Sequence, residues 1–199
     1  MDKGTDTGSG LDLDLPEVHA RSLLHTGAIV AATTPDDLGR PTPCEGWDVA
    51  ALLHHLVTGN CWVTPLVEGS SIEEVGDRFD GDVLGDDHVA AYNRSAHDAA
   101  VAFQADGALE AMVKVSYGPV PGHVYCGHRT IDALVHGWDL AVATEQPTEL
   151  PAALVEACWA IAEPQLEMIS ASGEYGTTRS LGPDASAQDR LLAALGRTG

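Results

Sequence analysis

Apolar residues recur at helical spacing in four long segments of this chain. The first runs from Pro16 to about Leu38, where a glycine and two prolines follow, and the second runs from Val49 to about Pro65. The third covers residues 86–106, and the fourth covers His123 to Thr144. Apolar residues three and four positions apart line one face of an α-helix. The pattern therefore predicts four amphipathic helices that pack through their apolar faces.

Shorter patterns lie between and after these helices. Residues 108–122 alternate around a Gly-Pro turn, which predicts an extended segment or hairpin inserted between helices three and four. Residues 152–170 predict a fifth helix, which Pro164 should bend or shorten, and residues 187–196 predict a short last helix. Residues 70–86, between helices two and three, are interpreted as a surface connection, and residues 173–184 as a loop.

Composition agrees with a helical protein. Aromatic residues make up only 5% of the 199 residues, and the apolar residues are dominated by Ala and Leu, which favour helices over sheets. We therefore predict an all-α fold, a helix bundle. Residues 1–14 are mostly Gly, Ser, Thr and Asp and predict a disordered tail, and residues 15–199 predict a single domain.

Charge excludes some partners. Thirty acidic and ten basic side chains give a formal net charge of −20, which repels phosphate and argues against binding to nucleic acid. No apolar run approaches the roughly 20 residues that span a bilayer. The polar, acidic start is unlike a signal peptide. We therefore expect a cytoplasmic protein with no membrane partner.

The cysteines form no recognisable disulfide or metal-binding pattern. Cys44, Cys61, Cys126 and Cys158 are scattered without a CxxC pair, so we expect free thiols. Cys44 lies in PTPCEGW, a loop that leads into helix two, and its role as a structural residue or a nucleophile stays open. The chain also lacks a GxSxG elbow, a P-loop and a dinucleotide-binding fingerprint in the required context.

Helix four carries the most specific polar pattern. In DALVHGWDLAVAT, Asp132 and His136 are four residues apart and share a helix face, where both could reach one ion at about 2.0–2.2 Å. The alternative is a simple hydrogen bond on the helix surface. Asp139 is a candidate second partner of a ligand histidine or a solvated carboxylate, and His128 is a reserve ligand. Gly137 indicates close packing against another helix.

Helix two offers a further ligand without identifying it. His54 and His55 are adjacent and point about 100° apart, so at most one should face helix four, and periodicity does not choose between them. Arg129 and Arg94 are candidates to pair with a substrate carboxylate. The histidines of helices one and three are interpreted as solvated or core-edge residues: His19, His25, His88 and His97.

Three motifs carry a family resemblance: PTPCEGWDVAALLHHLVTGN, DALVHGWDLAVAT and AQDRLLAALGR. Together they resemble an actinobacterial family of metal-binding proteins in the DinB/YfiT-like superfamily, close to the N-terminal domain of the mycothiol-dependent maleylpyruvate isomerase. The resemblance implies a DinB-like four-helix bundle with a divalent metal, zinc or nickel. By position in the family motif, it implies His55, Asp132 and His136 as the metal ligands.

The resemblance also implies a function. Characterised members of the superfamily activate a low-molecular-weight thiol such as mycothiol on the metal, for transfer to or isomerisation of a small electrophilic substrate. Three protein ligands would leave a position open for such chemistry. One alternative is a non-catalytic helical module that holds a metal or small molecule and forms a homodimer through a bundle face. The other is a bundle whose His and Asp cluster binds nothing.

Overall fold

The computed structural model describes residues 13–167, 181 and 184–197. In this part of the chain the protein is predominantly helical, so the predicted all-α fold is confirmed. Its helices are α1 (Leu15–Ala32), α2 (Val49–Val67), α3 (Ile72–Val75), α4 (His88–Gln104), α5 (Gly122–Ala143), α6 (Ala152–Ala162) and α7 (Ala187–Ala194). The strands β1 (Met112–Val115) and β2 (Gly118–Pro121) form its small sheet.

The bundle consists of the four long helices, with α5 at its centre. Helix α1 packs on α4 and α5, α2 packs on the same two helices, and α6 and α7 cover another side of α5. Helix α5 is therefore buried almost all round, and Leu134 and Leu140 are fully buried. Val142, near the C-terminal end of α5, is the exception among its large apolar residues and is 38% exposed. Polar side chains of α5 consequently lie inside the bundle.

Side-chain caps start most of these helices. Asp14, Asp48 and Asp87 each accept a hydrogen bond from the backbone N–H three residues later. Ser71 and Glu74 form a capping box that starts α3. The interpretation of this segment as a plain surface connection is therefore incomplete, although its S-x-x-E pattern is visible in the sequence.

The segments between the helices are of the predicted types, but some helix ends differ from the predicted ones. β1 and β2 pair antiparallel with Met112 opposite Pro121, which confirms the extended insertion. Helix α1 stops at Ala32, short of Leu38, because Pro35 has no backbone N–H to continue it and a 3₁₀ turn follows. Helix α6 stops before Pro164, in accordance with the predicted shortening.

Parts of the sequence interpretation lie outside the described residues. They include the tail up to residue 12, the end of the predicted fifth helix from residue 168, and most of the predicted loop at 173–184. Among the described helices, none has the length and apolarity needed to cross a bilayer.

Helices α1 and α5 approach closely at Gly137. A Cβ atom on Gly137 would lie 2.3 Å from Thr26 Oγ1, which donates a hydrogen bond to the Ala133 carbonyl at 2.8 Å. We expect Gly137→Ala to lower the free energy of unfolding by about 1–3 kcal/mol, because the two helices must move apart. Gly39→Ala, where no atom lies within 4 Å, should change it by less than about 0.5 kcal/mol. Urea denaturation measures both, and equal effects would contradict the close packing.

Candidate metal centre

The centre of the candidate site is a polar stripe on α5. Asp132 and His136 lie one helical turn apart, and His55 of α2 faces both of them across the helix interface. His55 Nε2 lies 3.4 Å from Asp132 Oδ1, and His136 Nε2 lies 3.6 Å from the same oxygen. One ligand atom from each residue lies within 4.8 Å of the other two. The structure thus brings together the three residues that the family motif implies.

The spacing of these atoms is close to that of ligand atoms around a metal ion. His55 Nε2 lies 3.4 Å from Asp132 Oδ1, at the long end of a hydrogen bond, and His136 Nε2 lies 3.6 Å from the same oxygen. Around a tetrahedral ion with ligands at about 2.0–2.2 Å, neighbouring ligand atoms lie about 3.3–3.6 Å apart. Two imidazoles and one carboxylate are also common ligands of zinc, nickel, iron and manganese.

Asp132 is held ionised by its neighbours. Its side chain is only 14% exposed, and Arg129 Nη1 donates to Asp132 Oδ2 at 3.0 Å. Burial opposes the charge, but Arg129, His136 and His55 outweigh it and hold the pKa of Asp132 far below its ordinary value. Burial also opposes a charge on His136, but the carboxylates of Asp132 and Asp139 raise its pKa to about 10. The cluster is therefore a network of compensated charges.

Arg129 reaches Asp132 across the surface of Gly59. A Cβ atom on Gly59 would lie 2.5 Å from Arg129 Nη2, a distance that a side chain cannot occupy without displacing the guanidinium. Arg129 Nη2 also donates to Asn60 Oδ1 at 3.5 Å. The glycine of α2 thus makes room for the guanidinium that holds Asp132.

A second layer holds the other side of the His136 ring. His136 Nδ1 lies 3.0 Å from Asp139 Oδ2, and Asp139 is fully buried. Arg197 donates to both oxygens of Asp139, from Nη2 at 2.8 Å and from Nε at 3.2 Å. The pKa of Asp139 is lowered, against the effect of burial, by His136 and Arg197. With Nδ1 engaged in this way, Nε2 is the nitrogen of His136 that faces Asp132 and His55.

The loop before α2 brings two more side chains to the site. Gly46 has a φ of 79°, and the tight turn it allows places Trp47 N–H on the Cys44 carbonyl at 3.0 Å. The Trp47 ring then lies 4.9 Å from the His55 ring and 6.0 Å from the His136 ring, between centroids. Trp47 therefore forms one wall of the site.

Cys44 belongs to a second group of candidate ligands. Its Sγ lies 3.2 Å from Asp139 Oδ2 and 3.7 Å from His136 Nδ1, so these three residues could also surround an ion. However, Arg197 Nη2 lies 3.6 Å from Cys44 Sγ and 2.8 Å from Asp139 Oδ2. This group already contains a cation, the Arg197 guanidinium, and is the weaker metal candidate.

The other polar residues predicted from sequence lie elsewhere. His54 Nε2 lies 3.0 Å from the Gly81 carbonyl, so His54 faces the connection before α4. His128 contacts Tyr117 and Gln165 at 2.7 and 2.8 Å, beside the hairpin, and is outside the cluster. Arg94 is exposed. The cysteines are free thiols, as predicted.

Sequence reasoning missed three contributions to this site. Arg129 was considered only for a substrate, although its position three residues before Asp132 is a spacing at which helix side chains pair. Arg197 gave no local indication of its role, because it lies 58 residues from Asp139 in sequence. Trp47 lies in the loop before α2, where no sequence pattern indicates that its ring contacts His55 and His136.

Comparison with known proteins identifies relatives. The family model described as the mycothiol maleylpyruvate isomerase N-terminal domain matches residues 21–141, more than half of the chain. Two uncharacterised proteins, from two strains of Mycobacterium tuberculosis, are each 35% identical over 188 residues, which cover 90% of this chain and 96% of the relative. No solved structure gives a significant match. The chain therefore belongs to the family of the mycothiol maleylpyruvate isomerase N-terminal domain.

Proposed function

We propose that this protein is a divalent-metal-dependent enzyme that activates a low-molecular-weight thiol, of the mycothiol type, for transfer to or isomerisation of a small electrophilic substrate. Its metal ligands would be His55, Asp132 and His136. The observation that carries the proposal is the spacing of their ligand atoms: the two distances to Asp132 Oδ1, 3.4 and 3.6 Å, match edges of a tetrahedral zinc site, and all three ligand atoms lie within 4.8 Å of one another.

The burial of the three residues supports a site open on one side. The side chains of Asp132 and His136 are 14% and 10% exposed, whereas that of His55 is 33% exposed. An ion held there would be enclosed by the protein on the α5 side and accessible beside His55. A site with three protein ligands and an accessible position is typical of catalytic rather than structural metals.

Each neighbouring residue has a defined task in this proposal. Arg129 keeps Asp132 ionised and fixes Oδ2, so that Oδ1 points at the two imidazoles. Asp139 accepts the hydrogen bond of His136 Nδ1 and so leaves Nε2 for the ion. Trp47 covers the two rings and excludes water from that side. When bound, a divalent ion would lower the pKa of a coordinated thiol and so supply the thiolate nucleophile.

The choice of a thiol rests on the family. The family is described as the mycothiol maleylpyruvate isomerase N-terminal domain. Among the described cysteines, Cys44 is the one near the site, and it is engaged with Asp139 and Arg197. A thiol that reaches the ion from solution would approach past the exposed edge of His55. The substrate electrophile would then meet the thiol at the same opening.

Metal analysis tests the proposal directly. We expect protein purified without a histidine tag to retain about one zinc or nickel ion per chain, and His55→Ala and His136→Ala to lose it, because each removes one of three ligands. His54→Ala is the matched control, since His54 neighbours His55 but contacts Gly81. It should retain the ion. Plasma mass spectrometry of the dialysed proteins gives the stoichiometry.

Thiol transfer distinguishes an enzyme from a binding module. The metal-loaded protein is mixed with a low-molecular-weight thiol and a chromogenic electrophile, and the metal-free protein serves as the reference. A rate that depends on both the ion and His136 supports catalysis. Stoichiometric metal that raises the melting temperature without any transfer would favour the non-catalytic module. Absence of metal after reloading would refute the proposed site.

A further inference from the structure

We propose that Arg197 is a positioning residue for the metal centre: through Asp139 it fixes the His136 imidazole so that Nε2 points at Asp132 and His55. This inference rests on the proposed function, since it assumes that His136 binds an ion. It extends the site from the region that the family model matches, residues 21–141, to the C-terminal motif AQDRLLAALGR. The C-terminal segment would then complete the centre rather than only cover the bundle.

The position of Arg197 is set by the end of α7. Leu191, Leu192 and Leu195 are buried in the cluster that α7 forms with α5 and α6. Gly196 then adopts a φ of 79° and turns the chain back, and the Arg197 N–H donates to the Leu192 carbonyl at 2.8 Å. This is the Schellman arrangement that ends many helices. The backbone of Arg197 is therefore anchored to a buried helix.

The guanidinium is held as firmly as the backbone. Its Nη1 donates to the Leu195 carbonyl at 2.8 Å, while Nε and Nη2 donate to the two oxygens of Asp139. A two-point contact of this kind fixes the plane of the carboxylate as well as its position. The side chain of Arg197 is 9% exposed and that of Asp139 is fully buried. The carboxylate of Asp139 is therefore shielded from solvent while Arg197 is in place.

The effect passes to His136 through one oxygen. Asp139 Oδ2 accepts from Arg197 Nη2 at 2.8 Å and from His136 Nδ1 at 3.0 Å. An ionised carboxylate only accepts hydrogen bonds, so Nδ1 carries a proton. Nε2 is then the nitrogen that a metal would take, in exchange for the proton that it carries when the ring is charged. Partners of this type orient ligand histidines in metal sites, and their loss weakens metal binding about 10–100-fold.

The test compares zinc affinity by chelator competition in the full chain. We expect Arg197→Gln to weaken zinc binding about 10–100-fold, and Arg197→Lys to weaken it less, because lysine keeps the charge without the two-point contact. Arg190→Gln is the matched control on the exposed side of α7 and should leave the affinity within about twofold. Equal affinities of wild type and Arg197→Gln would overturn the inference while leaving the metal site intact.

A double-mutant cycle separates positioning from a loosened helix. If Arg197 acts through Asp139, then Arg197→Gln should add less than about twofold to the loss caused by Asp139→Asn. A merely structural role predicts additive losses, which would overturn the inference.

A metal-free readout keeps the inference separate from the proposed function. In wild type we expect a slowly exchanging His136 Nδ1–H resonance, because this proton is buried against Asp139. The resonance should broaden in Arg197→Gln and persist in Arg190→Gln. If wild type binds no zinc and the resonance still depends on Arg197, the proposed function fails and the positioning role holds. A resonance that is unchanged in Arg197→Gln would refute positioning.

Discussion

Replacing Asp132 with alanine is expected to lower the free energy of unfolding of the metal-free protein by about 3–5 kcal/mol, the usual cost of breaking one side of a buried ion pair. Asp132 Oδ2 accepts from Arg129 at 3.0 Å, and the Arg129 side chain is only 10% exposed. Without the carboxylate, the guanidinium is left in the bundle without its main counter-charge. Urea denaturation with a chelator present measures the difference at neutral pH.

Two further variants test the cause of this loss. Glu145→Gln breaks the ion pair with Arg40 at the surface, where Glu145 is 78% exposed, and should cost less than about 1 kcal/mol. Adding Arg129→Met to Asp132→Ala removes the stranded charge and should restore part of the stability. If Asp132→Ala costs no more than Glu145→Gln, the buried charge network is not what stabilises this region.

The same network explains why the α5 stripe was visible in the sequence. Asp132, His136 and Asp139 recur at spacings of four and three residues, and these spacings place them on one helix face whatever the tertiary fold. Gly137 also indicated that another helix packs closely on α5, since the absence of its side chain leaves room for Thr26 of α1. Local helix geometry was therefore enough to predict this half of the candidate site.

Helix periodicity could not choose between equivalent neighbours. His128 and Arg129 lie about 40° and 60° from Asp132 on opposite sides of the helix, and the structure turns Arg129 toward Asp132 and His128 toward the hairpin. His54 and His55 posed the same problem on α2. In each case the choice depends on which helix packs on which side, a property of the tertiary fold that a single helix does not contain.

Helix periodicity cannot predict contacts between residues that are distant in sequence. Arg197 reaches Asp139 only because α7 packs beside α5 and Gly196 turns the chain back. The motif AQDRLLAALGR includes Arg197 in the family pattern, but it does not specify that pairing. The resemblance to a metal-binding family supplied His55, but it gave no partner for Asp139.

We expect the protein to lose stability in acid because of His19. The interpretation of His19 as a solvated or core-edge residue is wrong: it is fully buried on α1 against the Phe103 ring. Neither ring nitrogen has a hydrogen-bond partner among the described residues. Burial, with the nearby charge of Arg129, lowers the pKa of His19 from 6.5 to about 3. Between these values the unfolded chain binds a proton that the folded protein excludes, so stability falls as the pH falls through this window.

The size of this effect makes it measurable in one variant. At about 1.4 kcal/mol for each pKa unit, protonating His19 in the unfolded chain alone weakens the fold by about 5 kcal/mol between pH 6.5 and 3. We expect His19→Leu, in metal-free protein, to lose that part of the pH dependence of unfolding, because leucine does not titrate and needs no hydrogen bond. His97→Leu, which replaces an exposed histidine of α4, should retain it. Urea denaturation gives the free energy of unfolding at each pH from 7 to 4. If this free energy falls equally with pH in wild type and in His19→Leu, then His19 takes up its proton inside the bundle, and the apolar environment assigned to it is wrong.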